Sequence, residues 1–461
     1  MITVSENKSY IPILSVLCMS SFLVPFTSTA LNLALPQINS DLHLTATTTG
    51  WVQSIYLLST AIFQIPCARL ADMYGRKKFF FCGSALFLLF SVFCGLSNHG
   101  GQLLIYRFFS GIGSAMVFGT GMAILTAAIP KEKRGWAMGI NVAIVYLSAA
   151  AGPFFGGLLT QNFGWRSIFF VVAGVNVLVL SGVVLFIKQE WKENGNKTFD
   201  YTGSALYALG LSTIIYGFSQ LSHWWGIVMV SGGSLTMIAF GFYERRIPHP
   251  VFNINTFLGN RIFRLSSLSA LINYSATSAI SFMLSLYLQY IRGLNPHDAG
   301  LILLVQALTQ AIVSPVAGRL SDRTPASKLS ASGMFIISIG LLLLCFLSET
   351  TSYYFIISIL ILIGIGFGTF SSPNMNIIMS SVEKKDYSMA SATAGTMRLT
   401  GQSMSMGIAI MTISVMVGNI PITPQVHESL MRSIVLTFTI LAIMCMAGVY
   451  TSSIGRKAHS N

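Results

Sequence analysis

The chain reads as an all-α polytopic membrane protein of fourteen spans, two six-helix bundles with a two-helix hairpin between them. Three observations predict this. Of its 461 residues 53% are hydrophobic and only 9% are charged, with a mean hydropathy of +0.69. A soluble domain carries about 25% charged residues, and a chain this long could not cover a water-facing surface with so few. Apolar stretches of roughly 20 residues, the length that crosses a bilayer as a helix, recur from one end to the other. Finally, the basic loop ARLADMYGRKKFF (68–80) recurs more weakly as GRLSDRTPASKL (318–329), so that Arg69, Leu70, Asp72 and Lys78 align with Arg319, Leu320, Asp322 and Lys328. Ala61 and Ile62 align with Ala311 and Ile312 at the same offset. A charged turn at equivalent points of two apolar halves is the mark of a duplicated membrane bundle.

The first span is 11–36, too long for a signal-peptide core and without a strongly basic start, so it is expected to stay in the membrane. Spans 2 to 6 follow at 48–67, 79–98, 102–129, 135–160 and 167–187. The polar linker KQEWKENGNKTFD (188–200) closes this set. Spans 7 and 8, at 201–220 and 225–243, form a hairpin around Ser222, His223, Trp224 and Trp225, whose aromatic rings suit a membrane interface. A second linker, 243–261, leads to spans 9 to 14 at 266–291, 298–317, 331–347, 353–379, 389–418 and 433–452. The predicted divisions are a bundle over 1–190, the linker and inserted hairpin over 191–260, and a bundle over 261–461.

Basic residues orient the bundle. Of the 27 Lys and Arg, only Arg166, Arg292 and Arg432 fall on the side opposite the N-terminus, and Arg107 and Arg398 lie within spans. The rest, including Arg76, Lys77, Lys78, Lys131, Lys133, Arg134, Arg245 and Arg246, share the side of both termini. That side is expected to be cytoplasmic. The net charge of +13 is thus topological and predicts no nucleic-acid partner. The six cysteines fall within or at the ends of apolar spans, with neither metal-type spacing nor a disulfide framework. No nucleotide loop, metal cluster or Ser/His/Asp arrangement is present, so neither a cofactor nor enzymatic activity is expected.

Four segments carry a resemblance. They are the loop Arg69-Leu70-Ala71-Asp72-Met73-Tyr74-Gly75-Arg76-Lys77-Lys78, the span 4 segment Tyr106-Arg107-Phe108-Phe109-Ser110-Gly111-Ile112-Gly113, and the span 5 segment Ala151-Gly152-Pro153-Phe154-Phe155-Gly156-Gly157. The fourth is the hairpin's Phe199-Asp200-Tyr201-Thr202-Gly203-Ser204 with Glu244-Arg245-Arg246, Pro250 and Phe257. On these the whole chain resembles a fourteen-span member of the major facilitator superfamily, in the branch of drug:proton antiporters. Ala68 departs from the glycine usual at its position. The resemblance implies a major facilitator fold and a secondary active exporter of small amphipathic compounds, proton-coupled and working by alternating access. It would sit in the plasma membrane and function as a monomer.

The residues themselves support part of this. Asp72 and Arg76, four apart, can pair, and Asp72 could also accept hydrogen bonds at a helix N-terminus. Gly75 permits the tight turn. With Asp322 in the second copy, these form a candidate latch between the halves. An ionised arginine within a span costs about 2.5–3.5 kcal/mol on insertion scales, so Arg107 and Arg398 are candidates for transport or coupling. Span 4 of the similar antiporters carries an arginine implicated in proton transfer or substrate binding. Pro153 removes a helix hydrogen bond and kinks span 5, while Gly152, Gly156 and Gly157 permit close contact, suiting a helix that packs against the other half. Asn32, Gln53, Asn141, Tyr146, Asn273, Gln306, Gln310 and Gln402 are polar groups near mid-span and candidates for substrate contact.

One absence cuts across the resemblance. None of the 14 Asp and Glu residues lies at a membrane midplane, and the span 1 position where many of the similar antiporters carry an aspartate reads Thr27. Two arginines and no acid in the cavity point to a neutral or anionic amphiphile. They also keep open a second function, an uncoupled or exchange carrier for a specific neutral or anionic metabolite.

Overall fold

The computed structural model describes residues 10–130, 133–192, 198–221, 223–248, 250–252, 254–321, 323–382 and 387–454. Every regular element among them is helical. In chain order they are α1 (Tyr10–Leu42), α2 (Ala46–Tyr74), α3 (Arg76–Gly95), α4 (Gly100–Ala128), α5 (Arg134–Phe163), α6 (Arg166–Phe186), α7 (Tyr201–Ser219) and α8 (Trp224–Glu244). A short α9 (Ile254–Gly259) precedes α10 (Arg261–Thr277), α11 (Ala279–Leu286) and a π-helical turn, Tyr287–Ile291. Then come α12 (Pro296–Leu320), α13 (Ala326–Leu344), α14 (Tyr353–Ser380), α15 (Tyr387–Met416) and α16 (His427–Ile454).

Local chemistry sets the boundaries. Thr45, Asn260 and Asn295 cap α2, α10 and α12 by accepting the backbone N–H of Thr48, Phe263 and Asp298, and Pro296 opens α12 where no amide partner is needed. Gly75, at φ +123°, ends α2 and starts α3, a conformation that a side chain would strain. The predicted span 266–291 is segmented rather than continuous. Ser405 Oγ of α15 accepts the Ala279 N–H at 2.9 Å, and the helix re-forms beyond Ser278.

Among the described residues, 13 helices are long and apolar enough to cross a membrane. The predicted span 201–220 is helical as α7 but falls short of that apolarity. It carries Thr202, Ser204, Ser212, Thr213 and Ser219 with three tyrosines, and it packs along α8 instead of standing alone.

The helices pack as two sets. α1 lies along α5 and α6, and α4 lies between α2 and α3. Likewise α14 lies between α12 and α13, and α10 and α13 pack on α16. The sequence repeat reappears as a packing repeat. A Cβ on Gly111 of α4 would stand 2.7 Å from Tyr56 O of α2, and one on Gly364 of α14 would stand 2.6 Å from Gln306 O of α12. Small residues let these helix backbones touch at equivalent points.

The sets join along α5–α12, α2–α15 and α1–α11. Their hydrogen bonds gather at the end of the bundle opposite the basic loops, termed the far end. Ala46 N–H donates to Ile420 O at 2.9 Å, Thr47 Oγ1 to Asn419 Oδ1 at 2.5 Å, and Gln289 Nε2 to Leu33 O at 3.2 Å. His297 N–H donates to Gln161 Oε1 at 3.3 Å. The opposite end, with Gly75, the Arg76–Lys78 start of α3 and the start of α5 at Arg134, is termed the basic end.

Candidate functional site

Arg107 sits two turns inside α4 and is 0% exposed. α2 supplies its hydrogen-bond and ring partners. Nε donates to Val52 O at 3.2 Å, Nη2 donates to Gln53 Oε1 at 3.3 Å, and the guanidinium lies 4.1 Å from the centre of the Tyr56 ring. Nη1 has no hydrogen-bond partner. This cation is therefore held by a carbonyl, an amide and a π face, with no carboxylate among the described residues paired to it. The geometry is not that of a side chain reaching for the interface. Gln53 is fixed in turn, because its Nε2 donates to Ser28 O at 3.0 Å and to the Ser28 hydroxyl of α1. Tyr56 is fixed by donating to Ser114 Oγ at 3.0 Å.

A second group spans the two helix sets. Arg398 of α15 is half-buried, and its guanidinium stands 5.3 Å from the centre of the Phe118 ring on α4. Tyr274 of α10 lies near both Arg398 and Tyr146 of α5. Gln402 lies one turn from Arg398 on α15 and is also half-buried. Asn273 beside Tyr274 is fully buried, with neither its Oδ1 nor its Nδ2 hydrogen-bonded. Gln306 and Gln310, one turn apart on α12, are half-buried, and Gln306 Oε1 is unpartnered.

Two of the sequence candidates take other places. Asn141 ties α5 to α1 through Nδ2 and Ser21 Oγ at 2.8 Å, a packing contact. Asn32 lies on the seam between the sets, its backbone carbonyl accepting Ser285 Oγ at 2.7 Å, with Oδ1 unpartnered. Thr27 is buried and returns its hydroxyl to Leu23 O at 2.8 Å. Buried carboxylates among the described residues are confined to Asp200 and Glu244, at the basic end of the α7–α8 hairpin.

The span 5 glycines divide their contacts. A Cβ on Gly152 would meet Thr29 and one on Gly156 would meet the Ala30 backbone, both on α1 of the same set. Gly157 faces Pro296 O across the seam, and Gly300 of α12 faces Pro153 O. The expectation that this segment packs against the other half thus holds at Pro153 and Gly157 and is corrected at Gly152 and Gly156.

At the charged turn Asp72 Oδ1 accepts Arg76 Nε at 2.7 Å, and Arg76 also reaches Ala123 O at 3.4 Å. The anion at the α3 N-terminus is not Asp72. Glu190, in the linker after α6, accepts Lys77 N–H at 2.8 Å and Lys78 N–H at 3.2 Å, and its carboxylate lies against Gly75. Arg76 N–H donates to Trp191 O beside it. Sequence reading missed Glu190 because its partners are more than a hundred residues away. The signal present was an acid-bearing linker that must pass the uncapped start of α3. Asp322 lies outside the described residues.

Comparison with known proteins agrees with this architecture. The family description "Major Facilitator Superfamily" matches residues 17–406 and again 266–455. An uncharacterized transporter of Escherichia coli K12, YebQ, is 29% identical over 91% of this chain and 90% of its own. The riboflavin transporter RibZ of Clostridioides difficile is 27% identical over 84% of each chain. The multidrug resistance protein Stp of Mycobacterium tuberculosis is 29% identical over 84% of this chain and 73% of its own. Among solved structures, a bacterial homolog of the human lysosomal transporter Spinster, inward-facing and unoccupied, superposes with a TM-score of 0.71 at 16% identity, over 98% of both chains. With two matching helix sets, a basic turn in α2–α3 and a family match over most of its length, this chain is a membrane-embedded member of the major facilitator superfamily.

Proposed function

We propose that this protein is a secondary active exporter of small neutral or anionic amphipathic compounds, in the fourteen-span drug:proton antiporter branch. The observation that carries the cargo class is Arg107, a buried cation with a free Nη1 and no carboxylate at hand. Arg398 adds a second positive group from the other helix set. Two guanidiniums with no acid beside them disfavour lipophilic cations and attract carboxylate, phenolate or carbonyl oxygens. Relatives named for multidrug resistance and for riboflavin transport support a small organic cargo.

In this reading α7 completes fourteen spans, and the chain divides at 1–190, 191–260 and 261–461. The basic end faces the cytoplasm, with both termini on that side in the plasma membrane. The far-end hydrogen bonds then close the outer side, and the Asp72–Arg76 turn and the α5 seam at Pro153 and Gly157 move between states. Asp322 joins the latch as the second-copy partner. One chain holds both halves and works as a monomer with its surrounding lipid.

The test is transport in proteoliposomes carrying an internal pH dye, with organic anions, neutral amphiphiles and lipophilic cations added in turn. Anion or neutral cargo that drives proton flux is the expected result. A preference for lipophilic cations sinks the cargo assignment. Thr27, back-bonded and uncharged at the span 1 acid position, favours a second reading, an uncoupled or exchange carrier for a neutral or anionic metabolite. Cargo movement that persists after the proton gradient is collapsed selects it.

A further inference from the structure

The hairpin carries a site that the transport reading does not use. Asp200 caps α7, and Glu244 is the last residue of α8. They are 7% and 1% exposed, buried more deeply than any other described acid. One oxygen of each is accounted for. Asp200 Oδ1 accepts Gly203 N–H at 2.8 Å and the Tyr243 hydroxyl at 3.3 Å, and Glu244 Oε2 accepts Phe252 N–H at 3.1 Å. The other two, Asp200 Oδ2 and Glu244 Oε1, face one point, the place where a Cβ on Gly203 would collide with both. Neither has a hydrogen-bond partner.

Two adjacent buried carboxylates cannot both stay ionised, because each raises the cost of charging the other and burial adds to it. Among the described residues, neither unpartnered oxygen is hydrogen-bonded to a cation. On α2, Asp72 is paired with Arg76. On α15, Arg398 lies over Phe118, and on α7 the Tyr207 hydroxyl donates to Ala61 O. Arg245 and Arg246 follow Glu244 but are exposed, and His249 lies outside the described residues. Tyr243 donates a neutral hydroxyl.

We propose that Asp200 and Glu244 form a proton-binding site, one proton shared between Asp200 Oδ2 and Glu244 Oε1, that holds the basic end of the hairpin closed. The proton joins the start of α7 to the end of α8, and Phe252 N–H ties the 250–252 segment to the same carboxyl. This end sits on a cluster that reaches both helix sets, with Ala61 and Ile65 of α2, Tyr207 and Leu211 of α7, Phe240 of α8 and Leu399 of α15. Losing the proton leaves two facing anions. They repel, the start of α7 and the end of α8 move apart, and the support along the α2–α15 seam weakens. The site thus makes the seam sensitive to pH at the basic end, independently of what the cavity carries.

The experiment is an infrared titration of the full-length protein in lipid nanodiscs, reading the C=O stretch of an undissociated carboxylic acid. Wild type is expected to keep that signal at neutral pH and lose it in alkaline buffer. Asp200→Asn and Glu244→Gln should each abolish it, since an amide N–H then donates to the remaining carboxylate. Both keep the acceptor that Gly203 or Phe252 uses. In parallel, trypsin cleavage at Arg245 and Arg246, normalised to cleavage at Lys188, should rise several-fold in alkaline buffer in wild type and stay flat in both variants. No carboxylic acid signal in wild type at neutral pH, or a signal unchanged in both variants, overturns the shared proton. A flat trypsin ratio in wild type overturns the link to the hairpin. The wild-type titration decides the matter even if a variant does not fold, and neither readout depends on the cargo.

Discussion

Arg107 shows how a chain keeps a cation in a span without an anion. A carbonyl, a glutamine and a tyrosine face share the charge, and the planar guanidinium reaches all three because its donors fan out in fixed directions. Arg107→Lys keeps the charge but presents a point donor that cannot span Val52 and Gln53. Hydrogen bonds to charged groups are worth about 1.5–3 kcal/mol, and about 1.4 kcal/mol is tenfold. Initial transport rates in proteoliposomes should therefore fall at least about tenfold for Arg107→Lys, with the thermal midpoint measured alongside to exclude unfolding. A lysine variant that transports normally would show that charge alone matters. Glu190 makes the complementary case of an anion serving structure. It satisfies two amides at the start of α3, and Glu190→Ala should cost about 0.5–2 kcal/mol, read as a lower thermal midpoint, with Glu190→Gln in between. If Glu190→Ala melts like wild type, the linker contact carries no stability. Arg107 was legible because a charge inside an apolar run stands out. Glu190 was not, because a linker acid looks like any solvated charge until the fold brings it to Lys77.

At the scale of the helix, small residues decide where backbones meet. Gly156 faces the Ala30 backbone, where a methyl group would stand 2.5 Å from Cα, and backbone cannot turn aside as a side chain can. Gly174 on α6 has nothing within 4 Å of that position. Gly156→Ala should then push α5 from α1 at a cost of about 1–3 kcal/mol, while Gly174→Ala changes stability little or improves it slightly through helix propensity. Thermal unfolding of both variants in the same detergent checks the contrast, and equal midpoints would refute the close α1–α5 approach. The sequence marked these glycines as packing residues but could not assign partners, since helical spacing gives a face and not what covers it. For the same reason Gly152 and Gly156 were expected on the wrong neighbour. The break at Ser278 was illegible too, because the hydroxyl that accepts the Ala279 amide comes from Ser405 on another helix.

Over the whole molecule, the duplication was the strongest sequence signal, and packing repeats it. The 250-residue offset that aligns Arg69 with Arg319 also aligns Tyr56 with Gln306, whose carbonyls meet Gly111 and Gly364 in the two helix sets. Nothing in a repeat says how its copies are set against each other. That depends on contacts such as Thr47 with Asn419, 372 residues apart, which follow from tertiary geometry alone. These far-end bonds carry the last prediction. An alternating-access cycle must break them once per turnover, because Thr47 and Ala46 belong to one set and Asn419 and Ile420 to the other. With the six native cysteines replaced, Thr47→Cys and Asn419→Cys should be joined by a short reducible cross-linker in the absence of cargo. Joining them should abolish transport, and reduction should restore it. Each single-cysteine variant, treated identically, should keep its activity. Transport that continues with the cross-link intact would mean that the far end stays shut throughout the cycle, and that the two sets do not move against each other there.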